Sequence, residues 1–123
     1  MAAKILNPIL PEHREAFKEY LKIWQAKLGL QNWRINFSPR KAPIDVSADV
    51  QCFTTHRMAK VRLGSDWGAY PPTPQMVESF AVHELLHVLL YPLTSEGLEG
   101  EALEAAEHQV IHTLQKLLTN TAI

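Results

Sequence analysis

His83-Glu84-Leu85-Leu86-His87 sets two imidazoles and a carboxylate in one short segment. Side chains four residues apart on a helix share a face, one turn above each other, so both imidazoles can reach one metal ion if this stretch is helical. Zinc accepts neutral imidazole nitrogen and, in catalytic sites, keeps one coordination position open. Glu84 lies about 100° around such a helix from His83. Its carboxylate then sits beside the ion rather than on it, placed to take a proton from a water that the ion activates. The segment therefore points to metal-assisted hydrolysis, with His83 and His87 as ligands of one Zn2+ and Glu84 as general base.

The alternative is a buried helix with two satisfied histidines and a satisfied glutamate. Phe80, Ala81, Val82, Leu85, Leu86, Val88, Leu89 and Leu90 make the segment apolar nearly all round, which marks a buried helix. Three ionisable groups inside it need partners, because a buried polar group left unpaired costs several kcal/mol. One metal ion satisfies all three together.

A catalytic zinc needs a third protein ligand. The C-terminal stretch offers Glu104, Glu107, His108 and His112. A stripe drawn through Leu103, position 107, Val110, Leu114 and Leu117 advances by alternating steps of four and three, so Glu107 falls on an apolar, core-facing line. A carboxylate there needs a metal or a partner; otherwise it is a first-turn acid stabilised by the helix dipole. Glu107 is the expected third ligand and His108 the alternative. Glu104 is a candidate to orient a ligating histidine, and His112 is expected at the surface.

These groups need a scaffold. Phe17, Leu21, Trp24 and Leu28 recur at helical spacing and predict a first helix over about Pro11–Leu28, with Pro11 suited to its first turn and Gly29 to its end. Three short strands follow. The first is Trp33–Phe37, ended by Ser38-Pro39. The second is Val46–Thr54, with Val46, Ala48, Val50 and Cys52 on one face. The third is His56–Leu63, with Ala59, Val61 and Leu63 inward. The short gap at Thr54-Thr55 predicts an antiparallel hairpin between the last two. Tyr70-Pro71-Pro72-Thr73-Pro74 is a stiff loop whose Thr73 and Pro74 suit a helix N-cap and first turn. A second helix is expected over about Pro74–Tyr91, stopped by Pro92. A loop through Thr94-Ser95-Glu96-Gly97 leads to a third helix from Leu98 or Gly100 to Leu118. The expected fold is a single α+β domain: an N-terminal helix, a small, mostly antiparallel sheet of about three strands, the histidine helix and a C-terminal ligand helix.

The composition agrees with a folded chain, at 46% hydrophobic and 20% charged residues over 123 positions. No apolar run approaches the roughly 20 residues of a membrane span, and the N-terminus lacks the apolar stretch of a secretory signal. A cytoplasmic protein is expected. A lone cysteine, Cys52, excludes an internal disulfide. Net charge is −1, yet residues 1–62 carry 11 Lys and Arg against 5 Asp and Glu, and residues 63–123 carry 1 against 8. One half complementing the other is the expected reading of this asymmetry; a basic face for nucleic acid is the less favoured one.

His83-Glu84-x-x-His87 followed by 19 residues and Glu107 resembles the gluzincin pattern, the thermolysin-like branch of the zincin metallopeptidases. The chain is also similar in length and order of elements to minimal gluzincin domains and to small metallopeptidases encoded by phages and prophages. The resemblance is specific over Val82–Leu90, suggestive over Glu104–Leu114, and elsewhere one of element order. It implies ligands His83, His87 and Glu107, Glu84 as base, and an endopeptidase acting on a narrow set of peptide or protein substrates. Thermolysin-like proteins often carry an aspartate four residues after the ligand glutamate; Ile111 stands there. SprT-like metallopeptidases, a second resemblance, use a third histidine, a role open to His108. The implied mechanism also needs an oxyanion donor. Tyr91, one turn past His87, is the candidate, with Tyr70 and His56 behind it. By the same resemblance, the strand His56–Leu63 is expected to take an extended substrate along its edge, with His56, Lys60 and Arg62 favouring acidic positions. Two other functions fit the sequence: a non-catalytic interaction protein held together by zinc, and a protease acting on DNA-associated proteins.

Overall fold

The computed structural model describes residues 6–94 and 101–120. The expected start of the third helix at Leu98 or Gly100, and the Ser95-Glu96-Gly97 loop before it, lie outside the described residues.

The fold is a small α+β arrangement. Its elements are α1 (Pro11–Lys27), β1 (Arg34–Phe37), β2 (Ala48–Phe53), a 3-10 turn (Thr54–His56), β3 (Met58–Leu63), α2 (Pro74–Thr94) and α3 (Glu101–Thr119). Phe17, Leu21 and Trp24 of α1 are buried as their spacing predicts. The Trp24 indole N–H donates to Glu78 Oε2 on α2 at 2.8 Å, tying the two helices together where a buried ring nitrogen would otherwise lack a partner. Thr73 caps α2, its hydroxyl accepting from the Met76 N–H at 3.2 Å. Pro92 does not stop α2. The helix runs on to Thr94, with the missing N–H and the ring's crowding of the carbonyl four residues back both confined to its last turns.

The sheet order is β1-β3-β2. β2 and β3 form the expected antiparallel pair, with Val50 opposite Val61 and Cys52 opposite Ala59. β1 pairs with β3 in parallel, so the sheet is mixed where a mostly antiparallel one was expected. The intervening β2 and its loops supply the crossover that a parallel pair requires. Ala59, Val61 and Leu63 are fully buried while Lys60 between them is exposed, so one sheet face meets the helices. Gly64 ends β3 beneath the chain entering β2; a Cβ there would lie 2.1 Å from the Val46 carbonyl oxygen, a distance that excludes any other residue.

This order overturns the expectation for the strand His56–Leu63. Its core, β3, is central and uses both edges for pairing, so no extended peptide can add to it. β2 is the edge strand on the helix α2 side. Lys60 is exposed on the face away from the core, and Arg62 is held by Asp49 through two guanidinium bonds, the Nε one at 2.8 Å.

α3 is turned relative to the expected stripe. Among the residues of α3 whose side chains are described, a set that leaves out Leu103 of the expected stripe, Ile111, Gln115 and Thr119 are buried, while Val110, Leu117 and Leu118 are 45%, 74% and 41% exposed. The physical reason lies in what α3 meets. The facing side of α2 carries His83, His87 and Ser79, and buried polar groups must be hydrogen-bonded. α3 therefore presents Gln115, His83's partner, inward beside Ile111, and Val110, Leu117 and Leu118 are left outside.

Candidate metal centre

α2 supplies the first half of the site. Ala81, Val82, Leu85, Leu86 and Val88 are all fully buried, so the helix is enclosed and its azimuth is fixed by packing around nearly its whole circumference. His83 and His87 then emerge half-buried on the one side that faces a cavity, one turn apart, with ring centroids 5.1 Å from each other. From α3, His108 brings its ring to 5.1 Å from His87 and 5.9 Å from His83. One nitrogen of each of these three residues lies within 4.8 Å of the other two. Zn–N bonds of 2.0–2.1 Å in a tetrahedron put donor atoms about 3.3 Å apart, so modest side-chain adjustment brings the three onto one ion.

Glu107, the expected third ligand, lines the same cavity but is not one of the three clustered donors. Its Oε1 is 2.9 Å from His87 Nδ1, so the carboxylate accepts the ring N–H and orients that histidine. The orienting role assigned to Glu104 is thus filled by Glu107, and Glu104 is exposed. His83 has a corresponding anchor that the sequence reading passed over. Gln115 is 1% exposed, and its amide nitrogen donates to the Ser79 carbonyl at 3.0 Å and the Ser79 hydroxyl at 2.8 Å. Its oxygen is thereby turned to His83 Nδ1, 2.9 Å away. An amide oxygen only accepts, so His83 carries its proton on Nδ1. In both rings the Nδ1–H is engaged and Nε2 keeps its lone pair, the tautomer that suits a metal ligand. The signal for Gln115 was present: it lies four residues beyond Ile111, seven beyond His108 and eight beyond Glu107, one continuous helical face.

The donor set is chemically suited to a divalent transition metal. Burial lowers the His83 pKa to about 4, with the other three imidazoles of the cluster pushing the same way against the Gln115 bond. Burial also lowers that of His87, opposed by the Glu107 charge. Both rings are neutral at neutral pH, as ligation requires.

Glu84 is 5% exposed, and burial, helped by the charge of Asp49, pushes its pKa up to about 8. A carboxyl tuned that far can exchange a proton near neutrality. It lines a cavity of about 410 Å³ together with His83, His87, His108, Glu107, Tyr91 and Ala48, Asp49, Val50 and Cys52 of β2. Asp49 and Gln115 are the two residues of the site that the sequence reading missed. Cys52 lines the same cavity; burial, then the Glu107 and Glu84 charges, raise its thiol pKa to about 11, which keeps it protonated at neutral pH.

Tyr91 shares the cavity, its ring edge-on to Trp33 with centroids 6.4 Å apart. Tyr70 lines a second cavity of about 190 Å³ with Phe80, His112, Gln115, His83 and Glu84. His56 is exposed in the turn between β2 and β3 and lines neither cavity. Lys60 and Arg62 line neither as well. Among the described residues no helix is long and apolar enough to cross a membrane.

No protein-family model, no curated protein and no solved structure matches this chain. The functional reading therefore rests on the residues and their arrangement.

Proposed function

We propose that this protein is a zinc-dependent peptidase with His83, His87 and His108 as metal ligands and Glu84 as general base. The observation that carries the reading is the meeting of three imidazole donors within 4.8 Å of one another, in a cavity that also holds a buried carboxyl. His108 takes the third place because its nitrogen belongs to that group, whereas Glu107 is engaged with His87.

When bound there, the zinc would supply Lewis acidity, lowering the pKa of an attached water toward about 7 and polarising a carbonyl oxygen. The chain's own residues do the rest. Glu107 and Gln115 hold the rings of His87 and His83 in one tautomer and one orientation. Glu84 takes the proton of the attacking water and returns it to the leaving amine. Tyr91 lines the same cavity and is the residue proposed to donate to the carbonyl oxygen as negative charge develops on it. The edge of β2 borders the cavity and suits an extended peptide added as a further strand, main chain to main chain, which favours an endopeptidase with a protein substrate.

Elemental analysis tests the ligand set. Wild type is expected to hold about one zinc per chain, as a site of this donor type does, and His83→Ala, His87→Ala and His108→Ala to hold only background. Glu107→Ala keeps the metal with an affinity lower by ~10–100-fold, the usual cost of removing an orienting partner. Zinc lost from Glu107→Ala but kept by His108→Ala would return the third place to the glutamate. Wild-type protein that takes up no zinc on reconstitution would sink the reading. Glu84→Gln is expected to keep zinc and lose peptide hydrolysis; a variant that still cleaves would leave Glu84 without its role.

A further inference from the structure

α3 carries two histidines four residues apart, and the function above uses only one of them. His112 lies one turn beyond His108, as His87 lies one turn beyond His83. Two such pairs therefore face each other across the α2–α3 contact. The ring of His112 is 5.3 Å from that of His83 and 6.2 Å from that of His108. Four imidazoles on a tetrahedral zinc, with bonds of 2.0–2.1 Å, hold their ring centres about 5 Å apart. Five of the six ring pairs among these four histidines, all but His87–His112, lie between 5.1 and 6.2 Å. The nitrogens of His112 lie outside the group of three, so the ring stands beside the ligand cluster without yet being part of it. His112 is exposed, and an exposed side chain changes rotamer on the picosecond-to-nanosecond timescale. It also lines the smaller cavity next to His83 and Glu84, which gives it room on the side of the cluster away from Tyr91.

We propose that His112 is a fourth, displaceable ligand of the same metal ion, and that it closes the site when no substrate is bound. The inference rests on the three-histidine reading above. With three imidazoles a tetrahedral zinc keeps one position for water or substrate; with four it has none, the condition of a structural site. His112 thus decides between a resting, closed centre and an open, reactive one. A substrate carbonyl or an added anionic chelating group displaces it, while the half-buried and anchored His83 and His87 stay in place.

The test uses cobalt(II) as a spectroscopic stand-in for zinc in the full-length protein. Wild type, His112→Ala and, as an exposed control away from both cavities, His56→Ala are compared in three readouts: the visible absorption of the loaded protein, its affinity for acetohydroxamate, and the retention of zinc against a competing chelator. His112→Ala is expected to change the absorption spectrum through loss of a nitrogen ligand. It is also expected to bind acetohydroxamate at least about tenfold more tightly, since no ligand has to leave, and to give up zinc roughly tenfold more readily. His56→Ala should match wild type. Identical spectra and affinities in wild type and His112→Ala overturn the proposal; if His83→Ala still abolishes metal binding, the three-histidine reading survives that failure. Complete loss of metal from His112→Ala also overturns it, because a displaceable ligand leaves three behind. A wild-type protein that binds neither cobalt nor zinc removes both readings together.

Discussion

α2 and α3 each contribute a pair of histidines four residues apart, and they seat those pairs by different forces. Around His83 and His87, five α2 residues are fully buried, so apolar packing sets the helix's azimuth before any polar contact is made. α3 leaves Val110, Leu117 and Leu118 substantially exposed and is held from its polar side, by Gln115 on Ser79 and His83 and by Glu107 on His87, with Ile111 as its fully buried apolar contact. The two helices teach opposite lessons about reading a sequence. Where apolar residues surround a functional group, the group's direction follows from the packing. Where the apolar residues of a helix lie on one side and the polar partners it must satisfy lie on the other, the polar partners can win.

Core truncation gives the widest separation between the two helices. Leu85→Ala in α2 is expected to destabilise the protein by ~2–5 kcal/mol, the range for emptying a buried leucine site. Leu117→Ala, 74% exposed on α3, should stay within about 0.5 kcal/mol of wild type. Denaturant titration of the metal-free proteins measures both, and a large loss in Leu117→Ala would mean that α3 is seated by its apolar side after all.

The polar seat of α3 can be weakened directly. Gln115→Ala removes the anchor of His83 and leaves Ser79 without its amide donor. Zinc affinity is expected to fall by ~10–100-fold, measured by chelator competition, while Gln115→Glu, which keeps an acceptor for the ring N–H, recovers part of it. Unchanged affinity in Gln115→Ala would show that His83 is held well enough by α2 alone.

The smallest effect is a pH slope that belongs to α2. The Glu84 carboxyl has a pKa of about 8 in the folded chain against 4.5 ordinarily. The folded state therefore binds the proton more tightly than the unfolded state, and between those values stability falls as pH rises. His83, lowered from 6.5 to about 4, acts in the opposite sense, adding stability as pH rises through that window. His87, also lowered, acts the same way, so the glutamate slope, at most about 1.4 kcal/mol per pH unit, dominates only about a unit above 6.5, where both histidines are neutral in either state. Metal-free wild type should thus lose stability from pH 7.5 to 8, and Glu84→Gln should be nearly flat there. A wild type equally flat would mean that Glu84 is charged and well solvated in the fold.

Much of this was legible in the residues. The apolar spacing of Phe17, Leu21 and Trp24, the alternation of Ala59, Val61 and Leu63, the cap at Thr73 and the enclosure of His83–His87 follow from local periodicity and turn chemistry. Helix and strand faces repeat every 3.6 and 2 residues regardless of what they meet, so these elements could be drawn and oriented from sequence. Three features could not. β3 became central and β2 the cavity-side edge because strand order depends on which strands find each other, not on any one strand's pattern. α3 turned Gln115 inward because Ser79 and His83, distant in sequence, needed it. Glu107 and His108, adjacent in the chain, took the places of orienting acceptor and clustered imidazole because the rotation of α3 about its own axis was settled by those long-range hydrogen bonds. Residue types and spacing name the candidates for holding a metal; which of them meet is a matter of the fold, since a helix's azimuth is fixed only by the surface it packs against.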